Sequence, residues 1–149
     1  MLEEITKEKT SADHLLYVSL KYTKTCDVIL NLIERWRSLI DLSFDAILEK
    51  AAKDNKIQVP HGSPKEKIEH VRKYFKKNKD IQDTLPLYIF FRRVPGLPKS
   101  REGEFRKNVN LKVHDNKNIV EINLEMLKEY SLKLEKFISA IRQELSIKK

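Results

Sequence analysis

The sequence predicts a mainly helical bundle formed by one domain, residues 1–149, and its residue pattern supports this in three ways. The three Gly and five Pro all lie between positions 60 and 103. Residues 11–54 contain neither, and apolar residues recur there at three- and four-residue steps, the spacing of a helix face. The same spacing returns at 124–147. We therefore expect a long helix at about 11–54 and a closing helix at about 124–147, with two shorter helices and one small β-hairpin (about 107–122) between them.

The long amino-terminal helix is the predicted scaffold of the fold. Residues 1–10 are expected to be a charged lead-in, with Ser11 as the N-cap of the helix. The weakest point is 22–27, where β-branched and capping residues gather, and a break with Thr25 capping a second helix is the alternative. We favour one continuous helix because the apolar spacing passes through this segment unchanged.

Three carboxylates and one ammonium recur every fourth residue on this helix, at Asp41, Asp45, Glu49 and Lys53. Carboxylates stacked on one helix face could hold a divalent metal ion. No His or further carboxylate motif joins them, so we interpret them as a hydrated stripe with one favourable Glu49–Lys53 pair.

The second helix has the clearest local signal in the chain. After a loop at 56–62, Ser63 is suited to the N-cap, Pro64 to the first helical position and Glu66 to the third position of a capping box. This pattern predicts a helix from Pro64 to about Lys77.

The remaining elements follow from composition and spacing. Asp80 is expected to cap a nearly all-apolar third helix, in which Pro86 lies either at a kink or in the first turn. Residues 95–104 are expected to be a polar loop with Arg101 exposed. The apolar period then changes to two, which predicts the hairpin, and Asn123 is expected to cap the closing helix.

Several classes of protein are disfavoured by what the sequence lacks. No run approaches the roughly 18 apolar residues that a membrane-spanning helix needs, and the charged amino terminus lacks a signal-peptide core. The single cysteine, Cys26, favours the reducing cytoplasm. The four His have no zinc-type spacing, and phosphate-binding glycine loops are absent. We therefore predict no catalytic, cofactor or metal site.

The positive charge is concentrated in the middle of the chain. Residues 61–117 hold 15 Lys and Arg against 7 Asp and Glu, in a protein of net charge +8. A localised basic region is typical of proteins that bind polyanions, and nearby aromatic residues can stack on unpaired bases. The predicted nucleic-acid-binding residues, all within 65–107, are Arg72, Lys73, Lys76, Lys77, Arg92, Arg93, Arg101, Arg106 and Lys107.

This small basic protein with long first and last helices resembles the HEPN class of helical domains, whose members include RNA-cleaving toxins and RNA-binding accessory modules. The catalytic signature of that class is an Arg, four to six residues, then a His. The nearest approach here is Arg106 to His114, with seven residues between them, on the predicted hairpin. The resemblance therefore implies an RNA-related role and supplies no catalytic residue.

Three functions follow from these observations. The first is a non-catalytic module that binds RNA or another polyanion through residues 65–107. The second is an interaction protein whose long helix pairs with another copy or with a partner protein, because its apolar stripe looks wider than the other elements can cover. The third is a HEPN-like ribonuclease or toxin–antitoxin component that uses Arg106 and His114 as an acid–base pair.

Overall fold

Six α-helices and three strands follow one another in the part of the chain that the structure describes. The computed structural model describes residues 2–54 and 63–146, so the predicted loop at 56–62 and the helix end at Ile147 lie outside the described residues. The helices are α1 (Leu2–His14), α2 (Leu20–Tyr22), α3 (Cys26–Lys53), α4 (Pro64–Tyr74), α5 (Lys79–Arg93) and α6 (Leu124–Ser146). The strands are β1 (Lys99–Glu102), β2 (Asn110–Asp115) and β3 (Asn118–Asn123). The predicted fold class is confirmed: the protein is mainly helical, with long helices in both its amino-terminal and its carboxyl-terminal part.

The continuous helix predicted for 11–54 is wrong, because the chain breaks between Tyr22 and Cys26. Thr25 is extended (φ −121°, ψ 157°), and its hydroxyl accepts a hydrogen bond from the Val28 N–H at 3.3 Å. Thr25 is therefore the N-cap of α3, as in the alternative interpretation. An unchanged apolar spacing could not exclude this break, since two helices that pack on each other bury the same kind of stripe as one straight helix.

The predicted lead-in at 1–10 is also helical, so the expectation of an N-cap at Ser11 is wrong. α1 begins at Leu2 and continues through a π-helical segment, Leu15–Ser19, into α2. α1 packs on α3, where Ile5 and Ala12 are almost fully buried. Burial of these few apolar residues stabilises a helix that composition alone presents as charged and frayed.

α3 lies at the centre of the fold and contacts α1, α4, α5, α6 and β2. Its Trp36 ring stacks on Phe91 of α5 and meets Tyr130 of α6 edge-on. Further along α3, Phe44 meets the rings of Tyr88 and Phe137 edge-on. Such aromatic pairs stabilise the core beyond the area that they bury, by roughly 0.5–1.5 kcal/mol each.

Capping residues set the starts of α4 and α5. The Ser63 hydroxyl accepts a hydrogen bond from the Glu66 N–H at 3.3 Å, as predicted. α4 ends at Tyr74 instead of Lys77. α5 is capped by Asn78, whose side chain accepts from the Ile81 N–H, and the expectation of an Asp80 cap is wrong by two residues. Pro86 lies inside α5 rather than in its first turn.

The predicted hairpin is present as β2 and β3, and a third strand, β1, pairs antiparallel with β2. β1 lies within the predicted polar loop 95–104, which is therefore partly wrong. On β1, Lys99 and Arg101 lie opposite Val113 and Leu111, both fully buried. A short charged strand at a sheet edge lacks the apolar alternation that identifies most strands, and its charges protect the edge from further pairing.

α6 closes the fold against α3, α5 and β3. Asn123 caps it as predicted, because its side-chain oxygen accepts a hydrogen bond from the Met126 N–H at 2.8 Å. Within the described residues, none of the helices combines the length and the apolar character that a bilayer crossing needs.

Candidate functional site

The nine predicted basic residues lie in three separate places. One group lines a groove between α4 and α5, and consists of Arg72, Arg92 and Arg93. A second group lines a cleft at the carboxyl end of α4, and consists of Lys73, Lys76 and Lys77. The third lies on β1 and the loop that follows it, and consists of Arg101, Arg106 and Lys107. The nine residues are therefore distributed over the α4–α5 groove, the carboxyl end of α4, and β1 with the loop that follows it.

The groove between α4 and α5, called the basic groove below, brings four cations together: Lys65, Arg72, Arg92 and Arg93. The groove has a volume of about 350 Å³, and the partly buried side chains of Ile68 and Ile89 also line it. Lys65 was not among the nine predicted residues. Its position follows from α4 lying beside α5, which residue spacing along the chain does not reveal.

The Glu69 carboxylate also lines the basic groove, so among the described residues its cations outnumber its carboxylates four to one. Arg93 pairs with Asp115 through both of its terminal nitrogens, at 3.0 and 2.5 Å. Among residues 2–54 and 63–146, Lys65, Arg72 and Arg92 have no carboxylate within 4.0 Å. All three side chains are exposed, and the Arg92 guanidinium lies 5.8 Å from the centroid of the Tyr88 ring. Three cations are thus free to bind an anion.

A polar cluster centred on Asp41 holds α4 and α5 in place on α3. The Asp41 carboxylate accepts hydrogen bonds from Arg37 at 2.5 Å, from Lys67 of α4 at 3.0 Å and from the Tyr88 hydroxyl of α5. Lys67 also bridges to Asp45 at 2.8 Å. The expectation of a hydrated carboxylate stripe is therefore wrong for Asp41, whose side chain is 20% exposed, but not for Asp45, whose side chain is 53% exposed.

The protonation states of this cluster suit a structural role. Burial raises the pKa of Tyr88, and its hydrogen bond to Asp41 raises the pKa further. Burial alone would lower the pKa of Lys67, but its hydrogen bonds to Asp45 and Asp41 outweigh this, and the net shift is upward. Near neutral pH the phenol stays protonated and the ammonium stays charged, so neither is suited to exchange protons with a substrate.

The lysine cleft at the end of α4 has a volume of about 270 Å³. Lys73, Lys76 and Lys77 line it together with Lys50, whose ammonium pairs with Asp54 at 3.1 Å. The Lys73 ammonium lies 5.1 Å from the centroid of the Tyr74 ring. The cleft adds a second cationic site at the opposite end of α4 from Lys65.

The acid–base pair considered from the sequence does not come together. Arg106 precedes β2, and its carbonyl accepts a hydrogen bond from the Val109 N–H at 3.0 Å. His114 lies four residues beyond Asn110, roughly 13 Å further along β2 at about 3.3 Å per residue. Its Nε2 is 3.4 Å from the Ser100 hydroxyl oxygen. This geometry does not support joint catalysis by Arg106 and His114.

The Cys26 thiol is buried and its pKa is raised. The Cys26 side chain is buried, and this burial, together with a hydrogen bond to Glu104, raises the pKa of its thiol to about 12. A thiol with so high a pKa is a poor nucleophile near neutral pH. Residues 2–54 and 63–146 contain no group of three or more His, Cys, Asp and Glu residues that could hold a metal ion.

The apolar stripe of α3 is covered by the chain itself. Ile29, Leu32, Leu39 and Ile40 are fully buried in the single chain, against the neighbouring helices and the sheet. The exposed large apolar side chains among the described residues all lie outside α3. The width of the stripe, which suggested pairing with another copy, is therefore accounted for within one chain.

The chain matches no protein-family model, no curated protein and no solved structure. The resemblance to HEPN domains consequently remains an expectation from the helix layout.

Proposed function

We propose that this protein is a non-catalytic module that binds RNA or a related polyanion, and that the basic groove is its principal contact. The observation that carries the proposal is the convergence of Lys65, Arg72 and Arg92, each without a carboxylate partner among the described residues, on one groove. Phosphate groups are bound by such convergent Lys and Arg side chains, which release counterions from the nucleic acid when they bind.

The rigid support of the groove favours this proposal. Lys67 and Tyr88 attach α4 and α5 to the same carboxylate, Asp41. The Gln82 amide adds a direct link between the two helices, because it donates to the carbonyls of Val71 and Phe75 at 3.2 and 2.9 Å. Cations held on fixed helices lose less conformational freedom when an anion binds.

A cytoplasmic location fits the same proposal, since the single cysteine forms no internal disulfide.

The proposal is tested by fluorescence anisotropy with a labelled mixed-sequence single-stranded RNA at about 50 and 200 mM salt. Three phosphate contacts give a logarithmic slope of about −2, so affinity is expected to fall roughly 20-fold over this range. The double variant Arg72→Glu/Arg92→Glu should weaken binding strongly and flatten the salt dependence.

The matched control is Lys133→Glu/Lys136→Glu, which makes the same charge change on exposed positions of α6. It should leave most of the affinity intact. Equal losses in the two double variants would attribute binding to net charge alone and would overturn the role of the groove. Affinity that is absent, or indifferent to salt, would refute the proposed function itself.

A further inference from the structure

A second surface, at the break between α2 and α3, combines exposed aromatic rings with basic side chains. Tyr22 and Phe105 are 77% and 75% exposed, and Tyr17 is 61% exposed. Large rings of this kind usually contribute to a core or an interface, so their exposure on neighbouring segments requires an explanation. We use the name aromatic surface for the rings of Tyr17, Tyr22 and Phe105 together with the exposed cations Lys21, Arg106 and Lys107.

The loop that carries Phe105 is fixed against the helix break. The Phe105 N–H donates to the Lys24 carbonyl at 2.6 Å. The neighbouring Glu104 carboxylate accepts a hydrogen bond from the Cys26 N–H at 3.2 Å, at the start of α3. Arg101, just before the loop, pairs with Asp27 at 2.8 Å. Three contacts therefore hold the Phe105 backbone against the helix break, two residues along the chain from Tyr22.

Phe105 also adopts a backbone conformation that a bulky residue rarely takes. Its φ is +66°, within a turn closed by a hydrogen bond from the Arg106 N–H to the Gly103 carbonyl at 2.9 Å. Gly or Asn is the usual residue at a turn position with positive φ. A strained Phe whose side chain adds nothing to the core is costly for stability. Such strain clusters at functional positions.

The helix that carries the other two rings is irregular at the same place. Tyr17 lies in the π-helical segment Leu15–Ser19. A π-helical turn is uncommon and is frequently found at functional sites. Two independent departures from regular backbone geometry, at Tyr17 and at Phe105, thus coincide with exposed aromatic side chains.

The charges around the rings indicate the chemistry of the partner. Lys21, Arg106 and Lys107 are exposed and have no ion pair among the described residues. The carboxylates of Asp27 and Glu104 are already engaged by Arg101 and by the Cys26 N–H. Lys107 also lines a cavity with Glu102, which pairs with Lys112 at 3.2 Å, and with Glu125. A second copy of the chain packed symmetrically here would bring like charges together, which disfavours self-association. The complementary partner is an anion with flat faces that can stack.

We propose that the aromatic surface stacks unpaired bases of a single-stranded nucleic acid, while Lys21, Arg106 and Lys107 contact its phosphates. This inference rests on the proposed function, because it assigns a nucleic-acid class to the polyanion. Stacking on aromatic side chains is how proteins commonly hold single strands without reading their sequence. Duplexes keep their bases stacked inside and cannot use these rings, so the aromatic surface should confer a preference for single strands.

The test compares the affinities of wild-type protein and variants for three probes: a mixed-sequence single-stranded RNA, an RNA duplex of equal charge, and inorganic polyphosphate. Phe105→Ala should weaken binding of the single strand about tenfold and leave the other two affinities within about twofold. Tyr22→Ala should act in the same direction, and Phe105→Trp should retain the wild-type preference. Leu132→Ala, at a 66% exposed apolar position on α6, is the matched control and should change nothing. Circular dichroism verifies that each variant is folded.

Each other outcome overturns the inference in a distinct way. If Phe105→Ala has no effect, or weakens single-strand and duplex binding equally, the rings do not stack bases and the proposed function stands without them. If the wild-type protein binds none of the three probes, the proposed function fails as well. If the protein instead binds vesicles of phosphatidylcholine and phosphatidylserine in a Phe105-dependent manner and ignores single-stranded RNA, the aromatic surface is a membrane contact.

Discussion

Replacement of Asp41 by Ala should destabilise the protein more than replacement of Asp45, the neighbouring carboxylate on the same helix face. The Asp41 side chain is 20% exposed and accepts hydrogen bonds from Arg37, Lys67 and the Tyr88 hydroxyl. Its removal leaves the buried phenol without its acceptor, whereas Arg37 keeps its pair with Glu34 and Lys67 keeps its pair with Asp45. Hydrogen bonds to charged groups contribute about 1.5–3 kcal/mol each, and these three share one acceptor, so their losses do not add. We expect a loss of about 3 kcal/mol in the free energy of unfolding.

Asp45→Ala is the matched control for this prediction. Asp45 lies four residues further on the same helix, but its side chain is 53% exposed and it pairs only with Lys67. Solvent weakens such a pair, and we expect a loss of about 0.5 kcal/mol. Tyr88→Phe, which removes only the hydroxyl and keeps the ring in the core, should fall between the two at about 1 kcal/mol.

Urea unfolding followed by circular dichroism measures these differences. With a slope of about 2 kcal/mol per molar urea, a loss of 3 kcal/mol moves the midpoint down by roughly 1.5 M. A double variant, Asp41→Ala/Tyr88→Phe, should lose less than the sum of the two single losses because the hydroxyl and the carboxylate are partners. Equal midpoints for Asp41→Ala and Asp45→Ala, or additive losses in the double variant, would refute the idea that Asp41 organises α4 and α5.

Three further predictions follow. Thr25→Ala removes the N-cap of α3 and should reduce the free energy of unfolding by about 1 kcal/mol in the same assay, and an unchanged midpoint would contradict the cap. The Phe105→Gly variant should have a free energy of unfolding about 1 kcal/mol higher than that of Phe105→Ala, because Ala keeps the strain of a positive φ and Gly does not. If residue 105 had an ordinary negative φ, the Ala variant would be the more stable of the two. The Cys26 thiol, with its pKa raised to about 12, should react with a thiol reagent at pH 8 only after urea is added. Rapid labelling of the native protein would contradict the burial of this thiol. Since folding favours the protonated thiol, the stability that Cys26 contributes is present at lower pH and is lost as pH rises through the alkaline range.

Local signals in the sequence predicted local structure well. Ser63 and Asn123 were identified as N-caps because a capping side chain acts on the N–H groups two or three residues away, within the same segment. The apolar spacing of α6 likewise identified a helix with one buried face. These features depend on neighbours along the chain, which the sequence displays directly.

Features that depend on distant residues could not be predicted in the same way. The break at Thr25 is completed by Glu104 and Phe105, about eighty positions later in the chain. β1 has no apolar alternation of its own and exists because β2 offers it an edge to pair with. The basic groove likewise requires α4 and α5 to lie side by side, so the sequence alone did not place Lys65 with Arg72 and Arg92. The positive φ of Phe105 could not be predicted either, because Phe is not a residue type that indicates this conformation.

The link between the helix break and Glu104 has a consequence for the order of assembly during synthesis. Cys26 and Glu104 are 78 positions apart in the chain. At about 5–20 residues per second, the ribosome therefore adds Glu104 roughly 4–16 s after Cys26, whose N–H donates to its carboxylate. Until then Thr25 alone caps the first turn of α3. The amino-terminal helices are therefore synthesised before the residues that complete the break between α2 and α3, which are Glu104 and Phe105 in the loop after β1.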